Sequence, residues 1–116
     1  MTEPTFDARG YPTEETLTRI RTWDVTTFAD MEAAMDFAGA AWHYDDAWTK
    51  ERDWIDPDWP RGSLQVRYRF STLGWSGNES IVEAIEGNEM LQMIGAWAWR
   101  RGGHYEYRFP RSQEAE

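Results

Sequence analysis

The distribution of apolar positions predicts two helices in the first 42 residues. From Thr27 onward, large apolar side chains recur every three or four residues, the period of a helix with one buried stripe. That stripe consists of Phe28, Met31, Met35, Ala38 and Trp42. Thr27 followed by Asp30 resembles a capping box at the start of this helix. A shorter helix is expected after Thr13, which is a typical N-cap residue followed by two glutamates.

Strict alternation of apolar and polar residues predicts strands over residues 64–71 and 104–109. A further strand is expected from Leu91 to Arg100, where methionine, isoleucine and tryptophan are frequent, and this strand is predicted to be central. The dipeptide Gly102-Gly103 permits the tight turn that joins two antiparallel strands. Residues 91–109 are therefore predicted to form a hairpin.

A third helix is predicted between the first strand and this hairpin. Ser76 and Glu79 have the S-x-x-E spacing of a capping box, in which each side chain satisfies a free backbone N–H of the other. Apolar residues three and four apart follow, and Gly87-Asn88 is expected to end the helix.

These elements predict an α+β protein in the order α-α-β-α-β-β, with helices on one face of a three-stranded antiparallel sheet. Residues 1–116 form a single domain in this interpretation, with an arm at 1–10, an acidic tryptophan-rich connection at 43–62 and a tail at 110–116. The other face of the sheet is left uncovered by helices. Regular alternation places on it Arg67, Arg69, His104, Glu106 and Arg108.

Composition indicates a folded protein with an unusual number of large aromatic side chains. Of 116 residues, 41% are hydrophobic and eight are tryptophan, which is too apolar for a disordered chain. The chain contains no cysteine, so a disulfide framework and thiolate chemistry are excluded. We expect no membrane association, because no apolar run approaches the roughly 20 residues of a membrane-spanning helix.

The charge is unevenly distributed along the chain. The first 60 residues carry the whole net charge of −9, whereas acids and bases balance in the remainder. The overall sign argues against direct binding to nucleic acid, which requires a basic surface. In the acidic connection 43–62, the tryptophans are candidate interface anchors. These are Trp48, Trp54 and Trp59. Arg67, Arg69 and Arg108, with nearby tryptophan, are a candidate platform for a base or phosphate. The alternative to both is that the acidic segment folds across this arginine-bearing face, neutralises it and buries the tryptophans.

Trp75 and Asn78, in the motif WSGNE, are candidate residues for binding a ligand or partner. The capping box explains the serine and glutamate of this motif but leaves these two residues without a role. Free N–H groups at a helix start are also suited to binding an anion. The alternative is that the motif serves only to begin the helix and to pack its aromatic residue.

Arg100, Arg101 and His104, in the motif RRGGHY, are the other candidate binding residues. A structural explanation is that the glycines form the turn, the arginines keep it soluble, and His104 pairs with Glu106 on the same strand face. His43 is the other histidine, so a metal site would require carboxylates as further ligands, and we expect no metal and no cofactor. No nucleophile lies beside a recognisable base, so catalysis is not expected.

The stretches GYPTEETLTRIRTW, WSGNE and RRGGHY resemble a family of small proteins of phages and prophages, many of them infecting actinobacteria. The resemblance covers residues 10–23 and 72–109. That family has no established activity, so the resemblance implies a phage origin and a cytoplasmic location in the infected host cell. In the family the middle strand is aromatic from its start and carries serine before the arginines, whereas here it reads LQMIGAWAW.

The function expected from these features is that of a phage accessory protein that binds a host or phage protein. One alternative is a module that sequesters a nucleotide-like anion between WSGNE and RRGGHY. Another is an acidic mimic of nucleic acid, formed by the first half of the chain. A three-stranded sheet has two free edges, and we expect a homodimer that pairs through an edge or through the tryptophan-rich segment.

Overall fold

The computed structural model describes residues 3–55, 64–93 and 97–110, which form a layer of helices on one antiparallel sheet. The helices are α1 (Glu14–Arg21), α2 (Phe28–Ala41), α3 (Ser76–Glu86) and α4 (Glu89–Met93). The strands are β1 (Trp48–Ile55), β2 (Leu64–Ser71), β3 (Trp97–Arg101) and β4 (His104–Pro110). The tail 111–116 lies outside the described residues.

The spatial order of the sheet is β1-β2-β4-β3, and the predicted α+β class is confirmed. The described sheet has four strands rather than three, because the connection 43–62 contains β1. The strand predicted from Leu91 also differs, since Leu91 belongs to α4 and β3 lies at an edge of the described sheet. Gly102 and Gly103 both have positive φ, 53° and 85°, as the predicted turn requires.

Strand β1 was missed because its helix-facing positions are charged. Register with β2 places Lys50 and Arg52 on the side of the sheet that α2 covers. Lys50 Nζ lies 2.8 Å from Glu32 Oε2, and Arg52 Nε lies 3.0 Å from the same oxygen. A strand whose inward side chains are cations paired with a helix shows no apolar alternation, and that alternation is the signal that predicts strands.

The starts of α1 and α2 follow the prediction. The Thr13 side chain accepts a hydrogen bond from the backbone N–H of Thr16, and Thr27 and Asp30 form a complete capping box. The arm docks on α1, because the backbone N–H of Thr5 donates to the Thr16 hydroxyl at 2.8 Å.

One apolar core joins the helices to the sheet. Its largest fully buried side chains include Ile20, Met31, Met35, Tyr68, Phe70, Ile81, Ile85 and Phe109. Tyr68 donates its hydroxyl to Asp36 Oδ1 at 2.6 Å and lies 3.2 Å from the Glu32 carbonyl oxygen. Burial raises the pKa of Tyr68, and the bond to Asp36 raises it further, so the hydroxyl stays protonated and fixes α2 over β2.

Gly39 allows α2 to lie directly on the Trp48 ring. A Cβ at Gly39 would lie 2.5 Å from a carbon of that ring, which is closer than van der Waals contact. We therefore expect Gly39→Ala to lower the free energy of unfolding by about 1–3 kcal/mol, although alanine favours helices more than glycine does. Urea denaturation measures this, and a smaller loss in a Trp48→Phe background identifies the overlap as the cause. A stabilised Gly39→Ala variant would contradict this packing.

Because of Glu32, the free energy of unfolding should decrease at acidic pH. Burial raises the pKa of Glu32, but the hydrogen bonds and charges of Lys50 and Arg52 outweigh burial, so its pKa is lowered in the fold. Its contribution to stability is therefore present above the pKa of the unfolded chain and is lost as pH falls through the folded pKa. We expect Glu32→Gln to cost about 1–3 kcal/mol at neutral pH and progressively less below about pH 4.

Urea denaturation at a series of pH values measures this difference. Glu83→Gln is the matched control, because Glu83 is exposed on α3. A cost for Glu32→Gln that does not change with pH would refute the role of these ion pairs.

Candidate functional site

Polar side chains line the sheet face that is turned away from the helices, which we name the open face. The side chains of Tyr68 and Tyr107 point toward the helices, so their neighbours along β2 and β4 point the other way. Among the side chains that the structure describes, the open face includes Thr49, Glu51, Trp54, Gln65, Arg67, Arg69, Ser71, His104, Glu106 and Arg108.

A β-bulge in β1 decides on which face Trp54 lies. Arg52 and Trp54 pair with consecutive residues of β2, so Asp53 is the extra residue of the bulge. Asp53 has a φ of 66°, in the left-handed region that aspartate adopts more readily than most residues. Regular alternation would put Trp54 on the helix side with Lys50. The bulge moves it to the open face.

Two arginines stack on the Trp54 ring. The guanidinium carbon of Arg67 lies 4.4 Å from the ring centroid, and that of Arg108 lies 4.6 Å from it. Arg67 also donates to the Glu51 carboxylate, and Arg108 Nε donates to Glu106 Oε2 at 2.5 Å. The ring and both guanidiniums are therefore held in place by contacts across three strands.

The sequence offered the alternative that the acidic segment 43–62 folds across the arginine-bearing face and neutralises it. The segment does neutralise that face in part, through Glu51, and it contributes Trp54. The described part of the segment, up to Ile55, does so as a strand beside β2.

A shallow depression of about 310 Å³ lies at the end of the open face next to the RRGGHY turn. Its lining includes Arg69, Ser71, His104 and Glu106. The Ser71 hydroxyl and His104 Nδ1 are 2.8 Å apart, and the two residues are register partners. Arg69 Nε lies 3.7 Å from Glu106 Oε1.

The expected pairing of His104 with Glu106 is wrong, since the partner of His104 is Ser71. The carboxylate of Glu106 accepts a hydrogen bond from Arg108 Nε, and Arg69 Nε lies farther away, at 3.7 Å. The Ser71–His104 contact joins β2 to β4 across 33 residues, so no local spacing could have indicated it. Among the described residues, no group of three or more His, Asp or Glu side chains could hold a metal ion.

The motif WSGNE begins α3 without the predicted capping box. The N-cap is Trp75, no side chain caps the helix, and Ser76 is its first residue. The Trp75 ring stacks on His43, with centroids 4.2 Å apart, and contacts Tyr11 at 4.7 Å. Trp75 therefore joins the N-terminal segment, the end of α2 and the start of α3.

Asn78 has a structural role that the sequence did not reveal. Its side chain is fully buried, accepts from the backbone N–H of His43 at 2.8 Å and donates to the His43 carbonyl at 3.1 Å. It also lies 3.5 Å from the Thr72 carbonyl oxygen. The Asn78 amide thus satisfies the backbone N–H and carbonyl of His43, where the chain leaves α2.

The two motifs do adjoin in the structure. The N–H of Thr72 donates to the Gly103 carbonyl at 2.9 Å, and the N–H of Trp75 donates to the Thr72 carbonyl at 3.0 Å. Hydrogen-bonded backbone and the buried Asn78 amide lie at this junction. The depression near this junction lies on the open face, beside His104.

The remaining candidate residues lie in different environments. Trp48 is half-buried against the core, with its ring stacked near Phe70 at 5.7 Å. Arg100 and Arg101 belong to β3, where Arg101 pairs with His104, but their side chains lie outside the described part of the structure. Trp59 also lies outside the described residues. The interface role proposed for Trp48 and Trp59 stays a prediction.

Comparison with known proteins gives no relative for this chain. No protein-family model matches it, and neither the curated proteins nor the solved structures provide a significant match. Within the described residues, no helix has the length and apolar character needed to cross a membrane.

Asn78 and Ser76 distinguish the observed helix start from the predicted capping box. Asn78→Ala leaves the backbone polar groups of His43 without their partner, so we expect a loss of about 2–4 kcal/mol in unfolding free energy. Ser76→Ala should change stability by less than about 0.5 kcal/mol, because Ser76 is not the cap. Thermal and urea unfolding measure both variants. A larger loss of stability for Ser76→Ala than for Asn78→Ala would instead support the predicted capping box.

Proposed function

We propose that this chain is a small phage accessory protein that binds another protein through the open face, with Trp54 as the anchor. The observation that carries the proposal is the stacking of Arg67 and Arg108 on Trp54, on the sheet face opposite the described helices. Tryptophan and arginine are the residues most often found at the energetic centre of protein interfaces.

The open face is ordered before any partner binds. Ordering a long, flexible side chain at an interface costs about 0.5–1.5 kcal/mol, and arginine is among the most flexible side chains. Here Glu51 holds Arg67, and Glu106 holds Arg108, so the free protein already has these side chains in place. This pre-organisation lowers the entropic cost of binding a partner.

The proposed partner is a host or phage protein in the cytoplasm of the infected cell. This part of the proposal rests on the resemblance to phage proteins. A second copy of this chain is the alternative occupant of the open face, in keeping with the expected homodimer. We assign no catalytic step to the protein.

Trp54→Ala tests the proposal. Truncation of a central interface tryptophan costs at least about 2 kcal/mol, which corresponds to a loss in affinity of roughly 30-fold or more. We expect the variant to remain folded, because Trp54 is only half-buried and lies outside the core cluster. Affinity capture from an actinobacterial host extract, followed by titration of the captured protein with purified chain, measures the loss.

Met90→Ala is the matched control, because Met90 is an exposed apolar residue of α4 in the helical layer. It should retain the captured protein. A folded Trp54→Ala variant that binds the same protein equally well would exclude the open face as the interface. If light scattering shows a wild-type dimer that Trp54→Ala converts to a monomer, the occupant is a second copy.

Salt dependence separates this interface from mimicry of nucleic acid by the acidic half of the chain. Binding centred on Trp54 should weaken only modestly between low and physiological salt. A mimic should lose most of its affinity, because its binding depends on many exposed charges.

A further inference from the structure

Among its described side chains, the open face carries an excess positive charge, although the chain as a whole has a net charge of −9. Three guanidiniums, those of Arg67, Arg69 and Arg108, face two carboxylates, those of Glu51 and Glu106. Arg67 is satisfied by Glu51, and Glu106 lies closest to Arg108. Among the described side chains of this face, the excess charge is therefore located at Arg69.

Of the three arginines described on this face, Arg69 is the one whose donors are available to a ligand. Its side chain is 59% exposed, compared with 17% for Arg67 and 23% for Arg108. Its 3.7 Å separation from Glu106 is longer than a hydrogen bond. Within the described residues, this ion pair is its only polar contact, so the guanidinium keeps its fork of N–H groups for a planar or tetrahedral oxyanion.

His104 provides a second donor beside the same depression. When the Ser71 hydroxyl donates to Nδ1, the neutral imidazole carries its proton on Nε2, which then serves as a donor. The depression of about 310 Å³ is at the small end of the range for ligand sites, which suits one charged group rather than a large molecule.

From these observations we infer that the depression beside Arg69 and His104 binds a single oxyanion group, either phosphate or carboxylate. Arg69 supplies the charge and paired donors, and His104 supplies a further donor fixed by Ser71. Arg108 takes part by holding Glu106, which would otherwise neutralise Arg69. This inference does not depend on a protein partner at Trp54.

The two histidines allow a direct test by NMR. The chain contains only His43 and His104, and His43 stacks on Trp75 at the start of α3, so it serves as an internal control. Sodium phosphate and sodium acetate are titrated separately into the purified protein at constant pH and ionic strength. We expect a saturable shift of the His104 ring signals with at least one anion and no saturable shift of the His43 signals.

Three variants test whether the anion binds at this site. Arg69→Gln should weaken the anion about 10- to 100-fold, because it removes a charge-assisted pair of hydrogen bonds. Glu106→Gln should tighten it, because it removes the competing carboxylate. Arg21→Gln is the control, since Arg21 is an ion-paired and partly exposed arginine of α1 and should leave binding unchanged.

Saturation by phosphate alone identifies a phosphate-bearing ligand, and saturation by acetate as well identifies a carboxylate-type ligand; either result supports the site. The inference is overturned if neither anion moves the His104 signals, or if folded Arg69→Gln binds as tightly as Arg21→Gln. Loss of this site with retention of Trp54-dependent capture would leave the proposed protein interface intact.

Discussion

The attachment of α2 to the β1–β2 pair is the constraint on which the rest of the structure depends. The Tyr68 hydroxyl donates to Asp36, and Lys50 and Arg52 reach Glu32, so one face of the sheet is fixed against the helix. Because side chains alternate along a strand, covering one face determines which residues the other face displays. The open face is thus a consequence of how α2 is held.

The bulge at Asp53 is the exception to this alternation, and it places the most distinctive residue of the open face. One extra residue with φ 66° moves Trp54 from the helix side to the side that carries Arg67 and Arg108. Bulges are over-represented at sheet edges and beside functional sites, where they redirect a side chain. The bulge therefore takes Trp54 out of the apolar core and places it on the open face.

Some of the singled-out residues hold the fold together, and others lie on the surface beside the depression. Trp75 and Asn78 hold the junction of α2, α3 and the N-terminal segment, so the WSGNE motif is accounted for by folding. His104 and Arg69, by contrast, line a depression on the open face, where the Arg69 side chain is largely exposed. The open face consequently combines an ordered tryptophan–arginine cluster with a nearby excess of positive charge.

The sequence by itself determined the α+β class, the caps of α1 and α2, the alternation of β2 and β4 and the glycine turn, because each depends on contacts within a few residues. Only the tertiary structure decided the features that depend on distant partners. Strand β1 was hidden because its inward cations pair with Glu32 of α2, and the role of Asn78 depends on His43, 35 residues away. Ser71 meets His104 only through the register of β2 with β4. Such contacts leave no periodic pattern in the chain, since the free energy that selects them arises only when separate elements pack together.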